Sequence, residues 1–382
     1  MKTLAFLIVL VLAAAAYAGD DKDAKPSRNF AGSVQLDYLA VPTDRHAHAI
    51  AFDGATVELS MKLTQDFGDS VTSSVKVCVA CHGLEVGMAY FDVRTADELD
   101  FRVGRFTPSF GSFPLRSDPA NHRTSDKPLP YDMGRMLHFR DFDEGILPAP
   151  WVDNGLEING THFFGHAQLD YAAYAISGPK AGQQPTDFDY TLSRSPERYY
   201  VDNNSEPTVG ARVATTIETG DTSSIELGAS AMAGHYDPDA KLDFEIGGAD
   251  LVVQIGHAFL RAEYLVRRTR IALGDDPAVR LKYGPNEAGV FDDHVLKEGF
   301  YGELELPIAD GVTFVGRWDG LRRRGNVLAT SELRSDSVVL RYTAAFAFRV
   351  HGDLLLKMST ELYDFSDFDD EAAIHLGLAG PF

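Results

Sequence analysis

The chain has 382 residues, of which 45% are hydrophobic, and its 35 Lys and Arg against 56 Asp and Glu give a formal net charge of −21. This surplus of acid argues against nucleic acid as a partner, because the phosphate backbone attracts basic proteins. The 24 Phe, 15 Tyr and 34 Gly favour a β-barrel, since aromatic residues form girdles at membrane interfaces and Gly permits tight turns.

The first element in chain order is a predicted secretory signal peptide over residues 1–18. Lys2 precedes an apolar run from Leu4 to Ala16, and Ala16-Tyr17-Ala18 forms a small-x-small cleavage site. No later segment approaches the roughly 20 apolar residues that a membrane helix requires. We therefore predict export, cleavage after Ala18, and a short periplasmic segment over residues 19–32.

Segments in which apolar and polar residues alternate follow, separated by gaps that are by turns short and long. In the second segment, the apolar residues from Val57 to Leu63 would face lipid, and Glu58 and Lys62 between them would face a lumen. The predicted strands are 33–40, 55–63, 73–79, 86–93, 99–106, 156–161, 167–176, 209–217, 225–235, 242–254, 258–268, 300–306, 312–320, 337–348, 354–365 and 373–382.

The last segment alternates most regularly, because every second residue from Ile374 to Phe382 is apolar or small. Short periplasmic turns paired with long external loops are typical of outer-membrane barrels. The sequence therefore predicts an all-β fold over residues 33–382: an antiparallel transmembrane barrel of about 16 strands in the bacterial outer membrane.

The longest gap, residues 107–153, would be the third external loop. It is dense in charge and Pro, and loops of this length are usually functional. We expect it to fold inward and narrow the pore, with Arg116, Arg123 and Lys127 among the pore-lining residues. The alternative is a solvated cap outside the barrel.

A resemblance to a known family is carried by the stretches Ala89 to Arg94 and Phe101 to Phe106, followed by Pro108 and Gly111. These stretches resemble porins of the phosphate-selective type. The resemblance implies a 16-stranded, trimeric diffusion pore. It does not imply phosphate specificity, because that needs a basic ladder in the lumen, which this sequence does not clearly contain.

Strand parity assigns charges of both signs to the lumen. The basic set is Lys62, Lys76, Arg212, Arg261, Arg267, Arg317, Arg341 and Lys357, and the acidic set is Glu58, Glu226, Asp243, Glu245, Glu263, Glu303, Glu305, Asp319 and Glu361. We expect Arg317, Arg341, Glu303 and Glu305 to line the pore. A nearly balanced wall of this kind passes small polar solutes with little preference for ion sign.

The segment Cys78-Val79-Ala80-Cys81-His82 contains both cysteines of the chain. Cys-x-x-Cys-His is the attachment motif of haem c, in which the thiols bind the macrocycle and the histidine is the proximal iron ligand. A disulfide and a metal site are the alternatives. Since strand parity points Cys78 inward and Cys81 outward, a haem would require the chain to leave strand geometry by about Val79.

A sixth iron ligand would come from Met133 or Met136 in the long loop, or from His46 or His48 in the first loop. Met would raise the redox potential and His would lower it. The sequence does not choose among these four residues.

Two functions are consistent with these features. The first is a porin-like channel for small hydrophilic solutes, bearing one haem c at its external rim. The alternative is a monohaem barrel that transfers electrons at the outer membrane with c-type cytochromes as partners. No serine has a convincing base at readable spacing, so we do not predict an enzyme.

Overall fold

The computed structural model describes residues 27–42, 54–80, 83–96, 98–132, 145–181, 190, 193, 200–272, 288–327 and 332–382. Its strands are β1 (Arg28–Ala40), β2 (Gly54–Phe67), β3 (Val71–Ala80), β4 (Gly83–Ala96), β5 (Leu99–Phe106), β6 (Asp153–Phe164), β7 (Ala167–Ile176), β8 (Thr208–Gly220), β9 (Ser223–His235), β10 (Asp243–Ile255), β11 (Ala258–Arg270), β12 (His294–Ala309), β13 (Val312–Arg324), β14 (Asp336–His351), β15 (Leu354–Phe365) and β16 (Glu371–Pro381). The predicted signal peptide lies outside the described residues.

The strands form a closed antiparallel barrel in which each strand pairs with its neighbours in sequence. Pairing of β1 with β16, from Ser33 opposite Pro381 to Ala40 opposite Ile374, closes the ring. The predicted fold class and strand number are thus confirmed. β1 begins at Arg28, earlier than the predicted start at residue 33. No helix of the described residues is long and apolar enough to cross a membrane.

The two ends of the barrel differ in the length of their connections. At one end, here called the turn end, β6–β7, β10–β11 and β14–β15 are joined by tight turns. Gly165, Gly256 and Gly352 adopt φ of 63°, 60° and 55° there, a conformation that glycine adopts without a Cβ clash. The opposite end, the loop end, carries the longest connection, residues 107–152. The name L3 refers here to its described parts, residues 107–132 and 145–152.

Alternation along the strands sorts residues between the lumen and the outer surface. On β16, the side chains of Ile374 and Leu376 are about half exposed on the outside, whereas His375 between them is 1% exposed. Val57 and Leu63 of β2 likewise point outward, as predicted. In a membrane these outward residues would face lipid.

Strand β10 departs from the predicted parity. Asp250 of β10 faces the lumen, where it pairs with Arg212, so Asp243 and Glu245 point outward. The prediction that these two acids face the lumen is therefore wrong. Phe244 and Ile246, which look lipid-facing in the sequence, are buried inside the barrel.

L3 folds into the lumen and builds a hydrophobic core there. From L3 come Phe110, Phe113, Leu129, Tyr131, Ile146, Leu147 and Trp151, and from the wall Tyr174, Met232, Phe244, Ile246, Leu265, Tyr301 and Leu321. Two short 3₁₀ turns, Phe113–Arg116 and Leu129–Tyr131, shape the loop. Burial of this apolar surface holds L3 against the wall of β7 and β9–β13.

Candidate pore and constriction

One carboxylate of the wall holds both 3₁₀ turns of L3. Glu263 on β11 accepts hydrogen bonds from the backbone N–H of Ser112 at 3.1 Å and of Phe113 at 2.6 Å. It also accepts the hydroxyls of Tyr131 at 2.5 Å and Tyr301 at 2.6 Å. Four donors satisfy this buried anion, which is the usual requirement for burying a charge.

Gly111 makes this contact possible. Its φ of +65° is easy only for glycine, and a Cβ there would lie 2.1 Å from the Tyr131 hydroxyl oxygen and 2.7 Å from Glu263 Oε2. The N–H of Gly111 also donates to the Ser230 hydroxyl of β9 at 3.0 Å. The chain therefore enters the lumen in close contact with the wall.

Arg116 and the two glutamates predicted to line the pore form a charge cluster on β11 and β12. Arg116 donates to Glu303 at 2.9 Å, and Arg261 lies 2.8 Å from Glu305. Both glutamates are almost fully buried. The loop cation is thus neutralised by the wall at this point.

Arg317 and Arg341 form a second cluster on β13 and β14. Arg341 binds both oxygens of Asp319, at 3.0 and 2.6 Å, and lies 3.3 Å from Glu361. Arg317 donates to the L3 residue Thr124 at 2.9 Å, and Arg341 donates to the Lys127 carbonyl at 2.6 Å. Arg317 and Arg341 therefore both donate hydrogen bonds to L3, and both also pair with the Glu361 carboxylate of the wall.

The loop also reaches β15, β16, β1 and β3. Lys357 of β15 donates to the carbonyl of Pro119, and His375 of β16 lies 3.5 Å from Asp126. Gln35 of β1 donates to the Ser125 carbonyl at 3.2 Å. Lys76 of β3 pairs with Asp118, so L3 crosses the lumen.

The predicted pore residues therefore lie in the lumen, but most are shielded from water. Arg317, Arg341, Glu303 and Glu305 and the side chain of Arg116 are largely buried, while Arg123 and Lys127 are half-buried. Paired charges in contact largely cancel, so they produce a weaker electric field in the lumen than unpaired, exposed charges would.

The lumen is less filled by side chains at the turn end, where it contains a cavity. A polar cavity of about 660 Å³ lies against β2–β5 and is lined by Asp66, Asp92, Asp100, Arg94 and Arg102, among others. Arg102 donates to Asp92 at 2.8 Å and lies 3.4 Å from Glu157. We call this cavity the vestibule.

Burial in L3 shifts the pKa values of two loop residues. The pKa of the His122 imidazole lies well below its ordinary value, because burial and the cations Lys357, Lys127, Arg116 and Arg317 all disfavour its protonated form. Burial and the adjacent Glu263 carboxylate raise the pKa of Tyr131, which therefore keeps its proton and donates it.

Of the residues predicted to hold haem, the structure describes only Cys78. Cys81, His82, His46, His48, Met133 and Met136 lie outside the described residues. Cys78 is on the lumen face of β3, its Sγ 3.0 Å from the position of a Cβ built on Gly87.

The strand continues past Cys78. Val79 is paired with Leu59 on one side and Leu84 on the other, and Ala80 pairs with Gly83. The departure from strand geometry by about Val79 that a haem would require is absent at Val79 itself, because ladders on both sides keep this residue extended. Cys81 and His82 lie outside the described residues, so haem, a disulfide and a metal site remain the alternatives for this motif.

Sequence reasoning missed the roles of Glu263, Tyr131, Tyr301 and His122. Glu263 was assigned to the lumen only as one charge among many. Its contacts with Ser112 and Phe113 span about 150 residues of sequence. No local pattern could have indicated them.

Comparison with known proteins places the fold. No protein-family model matches the sequence, and no curated protein matches it either. Among solved structures, the barrel shares its fold with outer-membrane porins. The anion-selective porin from Comamonas acidovorans is 11% identical with a TM-score of 0.55, and the match covers 94% of this chain and 100% of that one.

Two other structures match over similar lengths. The outer-membrane channel DcaP of Acinetobacter baumannii is 14% identical with a TM-score of 0.52, and the match covers 96% of this chain and 100% of that one. A trimer form of OmpT, an outer-membrane protein of Vibrio cholerae, is 8% identical with a TM-score of 0.53, covering 94% and 100%.

Proposed function

We propose that the protein is a porin-like channel of the bacterial outer membrane for small hydrophilic solutes. The observation that carries the proposal is a closed barrel of 16 strands whose lumen wall is charged and whose third long loop crosses that lumen. A barrel of this size encloses an aqueous space unless its loops fill it. The apolar outer face of strands such as β16 supports insertion in lipid.

The packing of L3 supports a narrow constriction. Its hydrophobic core with β9–β13 and its ion pairs with β12–β16 occupy one side of the lumen, and the Lys76–Asp118 pair reaches the opposite wall. Only small solutes would pass such a constriction. The polar vestibule at the turn end would receive them in hydrated form.

A homotrimer is the assembly we propose, since the resemblance to phosphate-selective porins implies one and a trimer form occurs among proteins of the same fold. Haem c and cytochrome partners remain predictions of the sequence. Cys81 and His82, on which both predictions depend, lie outside the described residues.

Reconstitution tests the channel directly. The purified protein, folded in detergent, is added to a planar lipid bilayer, and its conductance in KCl is recorded beside a heat-denatured sample. In parallel, proteoliposomes are exposed to a monosaccharide, a disaccharide and a trisaccharide, and swelling rates are compared. We expect discrete conductance steps and a swelling rate that falls steeply with sugar size. A folded barrel that gives neither would refute the proposal.

A further inference from the structure

We propose that His122 makes L3 a proton-responsive gate, which stays docked in the lumen at neutral pH and is released when the imidazole is protonated. This goes beyond the proposed channel function, because a passive pore needs no such response. His122 lies within the buried part of L3.

The His122 ring is enclosed. The residue is 2% exposed, and neither ring nitrogen has a hydrogen-bond partner among the described residues. The ring of Phe113 lies beside it, with ring centroids 6.0 Å apart. A neutral imidazole can be buried in this way at moderate cost, whereas a protonated one would be a buried charge without an acceptor.

The charges that act most strongly on the ring are cations from L3 and from two wall strands. They are Arg116 in the first 3₁₀ turn, Lys127 in L3, Arg317 on β13 and Lys357 on β15. The nearby carboxylates are already engaged: Glu303 pairs with Arg116 and Arg317, and Glu361 with Arg317 and Arg341. A proton on His122 would therefore add a positive charge to a cationic neighbourhood.

The sign of the pH dependence follows from linkage. Released into water, His122 would titrate near the ordinary pKa of about 6.5. Docked, its pKa is lower, so the released form binds more protons whenever the pH falls below that ordinary value. Docking is therefore unaffected above about pH 7 and weakens by up to about tenfold per pH unit below about pH 6, until the docked pKa is reached.

Release of L3 would affect the channel because L3 contacts several strands of the lumen wall. In the same loop, Asp118 pairs with Lys76, the Ser125 carbonyl accepts a hydrogen bond from Gln35, and Asp126 lies 3.5 Å from His375. Release of the segment around His122 would break these contacts together. The lumen would then widen, and conductance would change in steps.

The test compares wild type with His122→Phe between pH 7 and pH 5 in planar bilayers. Phe fills a similar volume and cannot titrate. His162→Phe is the matched control, because His162 lies at the turn end, paired with Glu98 at 2.7 Å. We expect the frequency of large openings to rise up to about tenfold per pH unit below pH 6 in wild type and in His162→Phe, and to stay flat in His122→Phe.

A second readout does not need conduction. Trp151 is buried at the end of L3, with its ring 5.1 Å from that of Tyr190, whereas Trp318 is half exposed on the outer face. In a Trp318→Phe background, acrylamide quenching of Trp151 should increase on acidification, and adding His122→Phe should abolish that increase. The arm with His122 intact decides the question even if His122→Phe folds poorly, because quenching that does not change on acidification overturns the gate.

The outcomes separate the two proposals. A wild-type protein whose openings and quenching are both unchanged from pH 7 to pH 5 overturns the gate, as does a response that persists in His122→Phe. A protein that never conducts, yet shows the His122-dependent quenching, contradicts the channel function and supports the release of L3.

Discussion

Replacing Glu263 with Gln is expected to weaken the attachment of L3 to the lumen wall. Oε1 of this carboxylate accepts the Phe113 N–H and the Tyr301 hydroxyl, and Oε2 accepts the Ser112 N–H and the Tyr131 hydroxyl. Gln is nearly the same size but keeps one acceptor oxygen. Its amide group would face two donors.

The magnitude follows from the number of hydrogen bonds lost. A hydrogen bond to a charged group contributes about 1.5–3 kcal/mol. Gln loses the two hydrogen bonds that one carboxylate oxygen accepts, one from a backbone N–H and one from a tyrosine hydroxyl. The tyrosine hydroxyl can rotate and accept a hydrogen bond from the Gln amide, but the backbone N–H cannot. We expect L3 docking to weaken by about 2–4 kcal/mol, which is roughly a 30-fold to 700-fold change in its equilibrium.

Single-channel recording at pH 7.5 measures the effect as an increase in the frequency of large openings. Glu298→Gln is the matched control: this glutamate lies on the outward face of β12, where it accepts the Tyr264 hydroxyl at 2.8 Å and pairs with Arg324. It makes no contact with L3 in the described residues. If Glu263→Gln and Glu298→Gln behave alike, the carboxylate does not hold L3 and this reasoning is wrong.

Two further predictions concern the seam of the barrel and the cysteine motif. Gly32→Ala is expected to destabilise the barrel by about 1–3 kcal/mol in urea titrations, because a Cβ at Gly32 would lie 2.3 Å from the Phe382 ring and 2.7 Å from the Ser60 carbonyl. Gly302→Ala, where nothing lies within 4 Å, should behave as wild type, and equal effects of the two would contradict the packing argument. Protein made in a host with c-type haem maturation tests the cysteine motif, which predicts sharp haem bands that survive denaturation and vanish in Cys78→Ala, Cys81→Ala. A colourless protein would contradict the haem prediction.

The barrel could be predicted from the sequence because lipid imposes a local rule. Each strand must turn an apolar face outward, so alternation within about ten residues is enough to find it. The prediction of β5 as 99–106 and of β15 as 354–365 agrees with the structure. Strand ends were less predictable, because alternation fades where strands leave the apolar band, as at Arg28 to Gly32 of β1.

The interior was harder to predict because it depends on contacts between distant residues. On β10, Phe244 and Ile246 face inward only because L3 brings apolar side chains against them. The rule of apolar outside and polar inside therefore fails there, and Asp243 and Glu245 were assigned to the wrong face. His122 gives no sequence signal at all, since its cationic surroundings come from β13, β15 and L3 together.

The attachment of L3 to both sides of the barrel seam bears on how the protein assembles. Lys357 on β15 donates hydrogen bonds to the carbonyls of Pro119 and Thr124, and Gln35 on β1 donates one to the carbonyl of Ser125. The Lys357 contacts join residues more than 230 positions apart, and contacts of such separation form slowly. We expect the final pairing of β1 with β16 and the settling of L3 to be one cooperative event, in which the chain closes around its own loop.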